Sequence, residues 1–448
     1  SPLALMGATA AEALDTLNMA QALSNAGGAS TAILPMLRGV QAALADSDAG
    51  AIALDRLALL LLQCDQLDEA DALLRQRGYH RRLNRAVLCG HPERPVHAAH
   101  GPLEPLASSL AVVENALPLP LLAALQAAFA PDAPFWVEHR YEHPATGFFS
   151  YVEPLPPPSE RTRHSTLLGA VVRRIAEIAA SRLSAASAAC TAEWWAHWRP
   201  HRAGVPLHFD SASAHLAEGR PEADGMCTPL VSTVLYLHGG VGGRTLVTDQ
   251  RWSSSELART GALVSPAANR LLVFEGDLLH AVVPAATPPP AATGAMRTTL
   301  MVALWRRMTP VSCAQPPPAG SAGEGGPPAG LTGGMRLPET SSGWLWPRQL
   351  TASSGEGEEG VAESGGEGQV GRGGEALSDT APVVWIRPVW ERVGAASDVS
   401  DSEPARALPM CGKRERAELG PEGGQGEGEA VSLSAAEPCF QGITTWRR

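Results

Sequence analysis

The residues best placed to do chemistry are His208 and Asp210, separated by Phe209 and standing where a short extended run, Val205–Leu207, ends. In a strand, residues i and i+2 face the same side, so an imidazole and a carboxylate at this spacing converge on one point. The pair suits a borderline divalent metal. His-x-Asp alone arises often by chance, and what gives it weight is the order of residues that follow. His280 comes 72 residues later, at the end of Leu271-Leu272-Val273-Phe274-Glu275-Gly276-Asp277-Leu278-Leu279-His280, which reads as a strand, a Gly-Asp turn and the start of a second strand. Arg297 then opens another apolar strand that runs to Trp305. A planar guanidinium binds a carboxylate through two parallel hydrogen bonds. Left unpaired in an apolar strand its charge would be costly, so an anion is expected beside it.

Two His and one carboxylate on one face of an octahedral ion leave three positions open, the facial triad of non-haem Fe(II) oxygenases. His197, His201, His215 and His238 lie nearby in sequence and read as supporting, surface or core residues rather than ligands. Pro200 breaks any helical face shared by His197 and His201. The Gly239–Thr245 stretch has the glycines of a phosphate loop but neither its Lys nor a following helix, and reads as a β-turn. There is no Gly-x-Ser-x-Gly elbow and no paired zinc-type Cys motif.

The elements around these residues come in two styles. Residues 1–90 are rich in Ala and Leu, with the clearest helices at Ala51–Leu62 and Leu67–Arg77 around a Cys64-Asp65-Gln66 turn. This resembles one helical hairpin of tetratricopeptide type with no convincing second copy at the repeat period, so it reads either as a partner-binding unit or as a helical cap on the next domain. Pro92–Pro105 is a linker, followed by a short strand at Ala111–Leu117 and a helix at Pro118–Phe129. Aromatic residues gather at Phe135–Tyr141 and Gly147–Tyr151, and Leu167–Leu183 is a further amphipathic helix. From Trp194 to Arg306 short β-branched runs alternate with Gly, Pro and Asp: Val205–Phe209, Leu230–Leu237, Thr245–Thr248, Leu271–Phe274, Leu279–Val283 and Arg297–Leu304. Such a series argues for a sandwich or jelly roll.

Beyond Pro310 the chain turns Pro/Gly/Glu-rich, and residues 351–448 hold 17 acidic against 9 basic side chains. That composition cannot bury enough apolar surface to fold. Two apolar islands stand out in it, Trp344–Trp346 and Val383–Trp390, read either as adhesive spots in a disordered tail or as segments that fold back. The tail carries most of the net charge of −11, so the body offers no basic surface for nucleic acid or an anionic membrane. Seven scattered Cys without a Cys-x-x-Cys pair read as reduced thiols of an intracellular, cytoplasmic protein. The longest apolar run, Ile52–Leu62, contains Asp55 and Arg56 and is too short to span a bilayer. The chain starts at Ser1, and a targeting segment ahead of it is left open.

The stretch from about Val112 to Trp305 resembles the prolyl-4-hydroxylase-like branch of the 2-oxoglutarate/Fe(II)-dependent dioxygenases. The match rests on His208-x-Asp210, the Val231–Leu237 strand, Gly242-Gly243-Arg244-Thr245-Leu246, Leu272-Val273-Phe274, His280 and Arg297-x-Thr299-Leu300. It implies an α+β protein: a double-stranded β-helix (jelly roll) with flanking helices, an N-terminal helical segment and a disordered tail. The expected division is 1–91 helical, 92–110 linker, 111–310 dioxygenase domain, and 311–448 tail with a returning strand at 383–390. It further implies Fe(II) on His208, Asp210 and His280, 2-oxoglutarate on Arg297, O2, and often ascorbate. Where the family carries a Tyr that touches the cosubstrate, the nearest residues here are Trp198 and His201; Trp198 and Thr299 join Arg297 as candidate cosubstrate contacts. The 17 residues from His280 to Arg297 exceed the family's usual gap and are read as an inserted hairpin, Pro288–Gly294, that keeps strand register. The implied activity is hydroxylation of a protein (prolyl) or small-molecule substrate with release of succinate and CO2. The competing reading is a non-catalytic interaction scaffold on a degenerate jelly roll. Oligomeric state is not legible.

Overall fold

A computed structural model of the chain describes residues 9–44, 47–76, 78–89, 98–99, 103–138, 150–155, 167–213, 217–221, 226–254, 256–286, 296–308, 334–336 and 382–394. The Pro288–Gly294 insertion, His215, the Trp344–Trp346 island and most of the Pro/Gly/Glu-rich tail lie outside these residues.

Four helices open the chain: α1 (Ala10–Asn25), α2 (Ser30–Ala43), α3 (Asp48–Gln63) and α4 (Leu67–Gln76). Thr9 and Glu12 form a reciprocal capping box that starts α1, and Ser47 caps α3 through the Gly50 N–H. Asp65, at φ +65°, makes the reversal between α3 and α4. The sequence shows one hairpin; the structure has two, because α1 packs on α2 as well as α3 on α4. The first pair escapes periodicity analysis because its Ala-rich helix α1 offers little contrast between faces.

Downstream, two antiparallel sheets are stacked. The first runs in the spatial order Leu110–Val113, Arg270–Glu275, Val231–Tyr236, Met296–Trp305, Thr191–Pro200, Tyr151–Pro154. The second contains, in order, Val383–Ile386, Gly261–Val264, Thr245–Arg251, Leu278–Val282 and Val205–Ser213. Successive strands cross between the sheets: 191–200 lies in the first, 205–213 in the second, 231–236 in the first, 245–251 and 261–264 in the second, 270–275 in the first, 278–282 in the second and 296–305 in the first. Thr191–Pro200 and Gly261–Val264 are strands that the sequence reading does not list. The first carries Glu193, His197 and Arg199 on alternate positions among its aromatics, which hides its strand character.

The alternation of side chains divides the molecule into layers. On the first sheet, Leu300, Val302 and Leu304 turn outward and pack with Val171, Val172 and Ile175 of the Leu167–Arg182 helix and with Leu122 and Leu125 of the Leu119–Ala128 helix. Outward residues of the second sheet, Leu207, Phe209, Leu246, Leu263, Leu279 and Ala281, join the core of α1–α4. Each fully buried Leu in such a core contributes about 1.5–3 kcal/mol, so the helical segment is anchored by its apolar contact with the sheet rather than by polar pairs. Between the sheets, Val234, Tyr236, Val247, Leu272, Phe274 and Leu278 fill one end. Trp195, Ala212, Ala303 and Trp305 form a second apolar cluster, and the polar positions left on these inner faces define the site.

Val383–Ile386 adds to the edge of Gly261–Val264, and Trp390–Arg392 pairs with Arg81–Leu83. Arg82 bonds Asp71 at 2.8 Å and also pairs with Glu391, while the Gly394 N–H donates to Asp71 at 2.8 Å. Among the described residues no helix is long and apolar enough to cross a membrane.

Candidate metal centre

His208 and Asp210 occupy alternate positions of the Val205–Ser213 strand and so share its inner face. The neighbouring Leu278–Val282 strand places His280 directly across from His208. The three side chains are buried, and one ligand atom from each lies within 4.8 Å of the others. Asp210 Oδ1 is 3.8 Å from the Nε2 atoms of both His208 and His280.

The imidazoles are held alike. His208 Nδ1 lies 2.8 Å from the Pro206 carbonyl oxygen and His280 Nδ1 lies 3.0 Å from that of Leu278. A carbonyl oxygen only accepts, so each Nδ1 carries a proton and each Nε2 is the atom left facing the centre. Burial, and next the adjacent His280, hold the His208 imidazole well below the usual histidine range, which keeps it neutral and able to ligate. Asp210 Oδ2 accepts a 2.7 Å hydrogen bond from Ser232 Oγ, leaving Oδ1 toward the histidines. His280 Nε2 is buried without a hydrogen-bond partner. A buried acceptor is seldom left unsatisfied. These three donors fit a divalent ion with a preference for imidazole and carboxylate ligands, iron(II) among them.

Arg297 is buried on the inner face of the Met296–Trp305 strand. Its Nη1 and Nη2 reach only long contacts, 3.5 Å to the Gly243 carbonyl and 3.4 Å to Thr245 Oγ1, and its Nε has no partner. The guanidinium lies 5.4 Å from the Tyr236 ring centroid, and Tyr236 in turn donates to Thr245 Oγ1 at 2.6 Å. Among the described residues no carboxylate pairs with Arg297. Burial works against its charge, so an anion supplied from outside would be bound strongly. Gly242, at φ +90°, is part of this arrangement: a Cβ there would sit 2.3 Å from Arg297 Cδ. The Gly-rich stretch is thus a turn that makes room for the arginine.

Thr299, two residues along, shares the inner face and lies opposite Tyr236. Trp198 does not. It pairs with Thr298, on the outward face, and stacks on Trp136 with centroids 5.8 Å apart. Its role as a cosubstrate contact is therefore corrected, since a sheet separates it from the cluster. The inward residue is its neighbour His197, opposite Thr299, whose Nε2 accepts from Trp195 Nε1 at 3.2 Å. Burial, and next Arg199, hold His197 well below its ordinary range, so it too is neutral. His201 Nδ1 accepts from the Gly242 N–H at 2.9 Å and supports the turn. Ser232, Tyr236 and Thr245 are further site residues that the sequence reading did not single out. The signal available for them is the two-residue period of their strands.

No protein-family model matches the chain, and no curated protein matches it. Solved structures similar to it include a Pseudomonas putida prolyl-4-hydroxylase, 19% identical over 44% of this chain and 93% of that one, with a TM-score of 0.28. The non-heme alpha-ketoglutarate-dependent carbocyclase SnoK from nogalamycin biosynthesis is 12% identical over 47% of this chain and 87% of that one, with a TM-score of 0.28. HygX from Streptomyces hygroscopicus, solved with nickel and 2-oxoglutarate bound, is 11% identical over 44% of this chain and 82% of that one, with a TM-score of 0.24.

Proposed function

We propose that this chain is an Fe(II)- and 2-oxoglutarate-dependent oxygenase built on a double-stranded β-helix. The observation that carries the reading is the buried cluster in which His280 Nε2 lacks a partner, combined with a buried Arg297 on the same inner face that no carboxylate of the described residues neutralises. His208, Asp210 and His280 would hold the iron, and Arg297, with Thr245 and Thr299 beside it, would hold the far carboxylate of 2-oxoglutarate. The bound iron supplies activation of O2 coupled to oxidative decarboxylation of the cosubstrate, giving succinate and CO2. The protein's own part is to keep the His208 imidazole neutral, to fix Asp210 through Ser232, and to exclude water with Val247, Phe274 and Tyr236.

For the substrate, a peptidyl proline is the first candidate and a small molecule the second; ascorbate would keep the iron reduced. The helical segment would present a protein partner. The test is succinate release from 2-oxoglutarate by Fe(II)-loaded protein, slow without substrate and abolished in His208→Ala. Bound iron at about one per chain without any turnover would reject the oxygenase reading.

A further inference from the structure

Arg297 has a second arginine directly opposite it. In the antiparallel pairing of Met296–Trp305 with Thr191–Pro200, the partner of Arg297 is Arg199, and the next inward pair is Thr299 with His197. Cross-strand partners share a face, so Arg199 belongs to the same side as His208, Asp210 and His280. Like charges directly opposite one another destabilise a sheet. Nothing among the described residues relieves them. Arg199 Nε, like Arg297 Nε, is buried without a hydrogen-bond partner.

The inward carboxylates are otherwise engaged. Glu193 accepts from Ser150 and Trp305, Asp249 accepts from Thr260 and the Arg259 N–H, and Asp210 sits in the metal cluster with Ser232. Two arginines paired across neighbouring strands on one face, with no acid of the described residues pairing with either, form an incomplete site. The missing component is an anion.

We propose that Arg199 is a second cosubstrate-binding residue, and that Arg199 and Arg297 together hold one dicarboxylate whose arrival relieves their mutual repulsion. This rests on the oxygenase reading, which needs only Arg297. It adds that cosubstrate binding is a stabilising event for the sheet itself. Arg297 leans toward Tyr236 and Thr245 on one side of its strand, while Arg199 stands on the other side, next to His197. The anion would therefore be gripped from two neighbouring strands.

The test uses the full chain in two forms. In metal-free protein without dicarboxylate, Arg199→Gln should melt at a higher temperature than wild type, because a repulsion is removed. In Ni(II)-loaded protein, calorimetric titration with 2-oxoglutarate should show at least about tenfold weaker binding for Arg199→Gln, as expected for loss of a charged hydrogen bond. Arg199→Lys, which keeps the charge and loses the fork, should bind with intermediate affinity and serves if the Gln variant fails to fold. Exposed Arg306→Gln controls for net charge and should change neither quantity. Unchanged 2-oxoglutarate affinity in both Arg199 variants, with affinity lost in Arg297→Gln, overturns the inference and leaves the oxygenase reading standing. Unchanged affinity in Arg297→Gln as well overturns both. Equal binding of sulfate and 2-oxoglutarate at matched ionic strength overturns the dicarboxylate assignment.

Discussion

His280 stands directly across from His208 in the pairing of their two strands, and the imidazole centroids are 4.2 Å apart. Two rings brought this close, each with Nδ1 committed to a backbone carbonyl, leave two Nε2 atoms converging beside Asp210 Oδ1. Replacing His280 with Ala removes one of the three proposed ligands, and stoichiometric Fe(II) or Co(II) binding should disappear while the far-ultraviolet circular dichroism is kept. Ser232→Ala is the subtler variant. It leaves all three ligands and removes only the bond that orients Asp210, so metal affinity should fall by about 10–100-fold. Metal titration followed by absorption of the Co(II) form measures both.

How much of this centre is visible in the sequence depends on one property of strands, that a single-residue step reverses the face. His208 and Asp210 are legible because their spacing of two puts them together whichever face the strand turns inward. His280 is legible through its strand-turn-strand setting. Trp198 misleads because the choice between it and His197 is a choice of face, and the register against Met296–Trp305 makes that choice. Ser232 and Tyr236 look like ordinary members of an apolar strand; only the stacking of the second sheet over them gives them a site to serve. The edge that Val383–Ile386 joins is likewise a tertiary fact, set by a partner more than a hundred residues earlier in the chain.

Gly242→Ala should damage the proposed anion site without touching a proposed metal ligand. The new methyl would fall 2.3 Å from Arg297 Cδ and 2.8 Å from its Cβ, in backbone that already has φ +90°. The strain costs about 1 kcal/mol or more of stability. The larger effect is displacement of the guanidinium. KM for 2-oxoglutarate should rise at least about tenfold, with metal affinity unchanged. Steady-state succinate formation against cosubstrate concentration separates the two.

The metal-free protein should lose stability as the pH falls. His197 and His208 are both held well below the usual histidine range by burial, so the folded state keeps them neutral where the unfolded chain binds protons. Their contribution is fully present above the unfolded value of about 6.5 and declines as pH drops toward the folded values. Each contributes a slope of up to about 1.4 kcal/mol per pH unit in that window. Urea unfolding at a series of pH values from neutral to mildly acidic should show it, and His197→Gln should reduce the slope by about one proton. An identical slope in the variant would show that His197 does not titrate this way.

A buried ion-pair cluster at Arg82 joins the helical segment to the chain's late strands, beside the apolar packing of Ile386, Val389 and Trp390 in the same core. Its side chain and that of Asp71 are 6% and 8% exposed, and Glu391 approaches Arg82 from the Trp390–Arg392 strand. Removing one member of a buried pair costs about 3–5 kcal/mol where the other charge is left uncompensated, and less where a second partner such as Glu391 remains, but still more than an exposed pair such as Arg38–Glu69 contributes. Asp71→Ala leaves Arg82 with Glu391 alone and also removes the acceptor of the Gly394 N–H. Segment 382–394 should then loosen from its Trp390–Arg392 end before the sheets unfold, because Arg82 and Asp71 hold that end while Val383–Ile386 stays paired between Gly261–Val264 and Ala98–Ala99. Hydrogen exchange should show protection lost at Trp390–Arg392 and at Arg81–Leu83 in Asp71→Ala, with the Val205–Ser213 and Leu278–Val282 strands still protected. Loss of protection spread evenly over both sheets would instead mean that the helical segment and the sheets unfold as one unit.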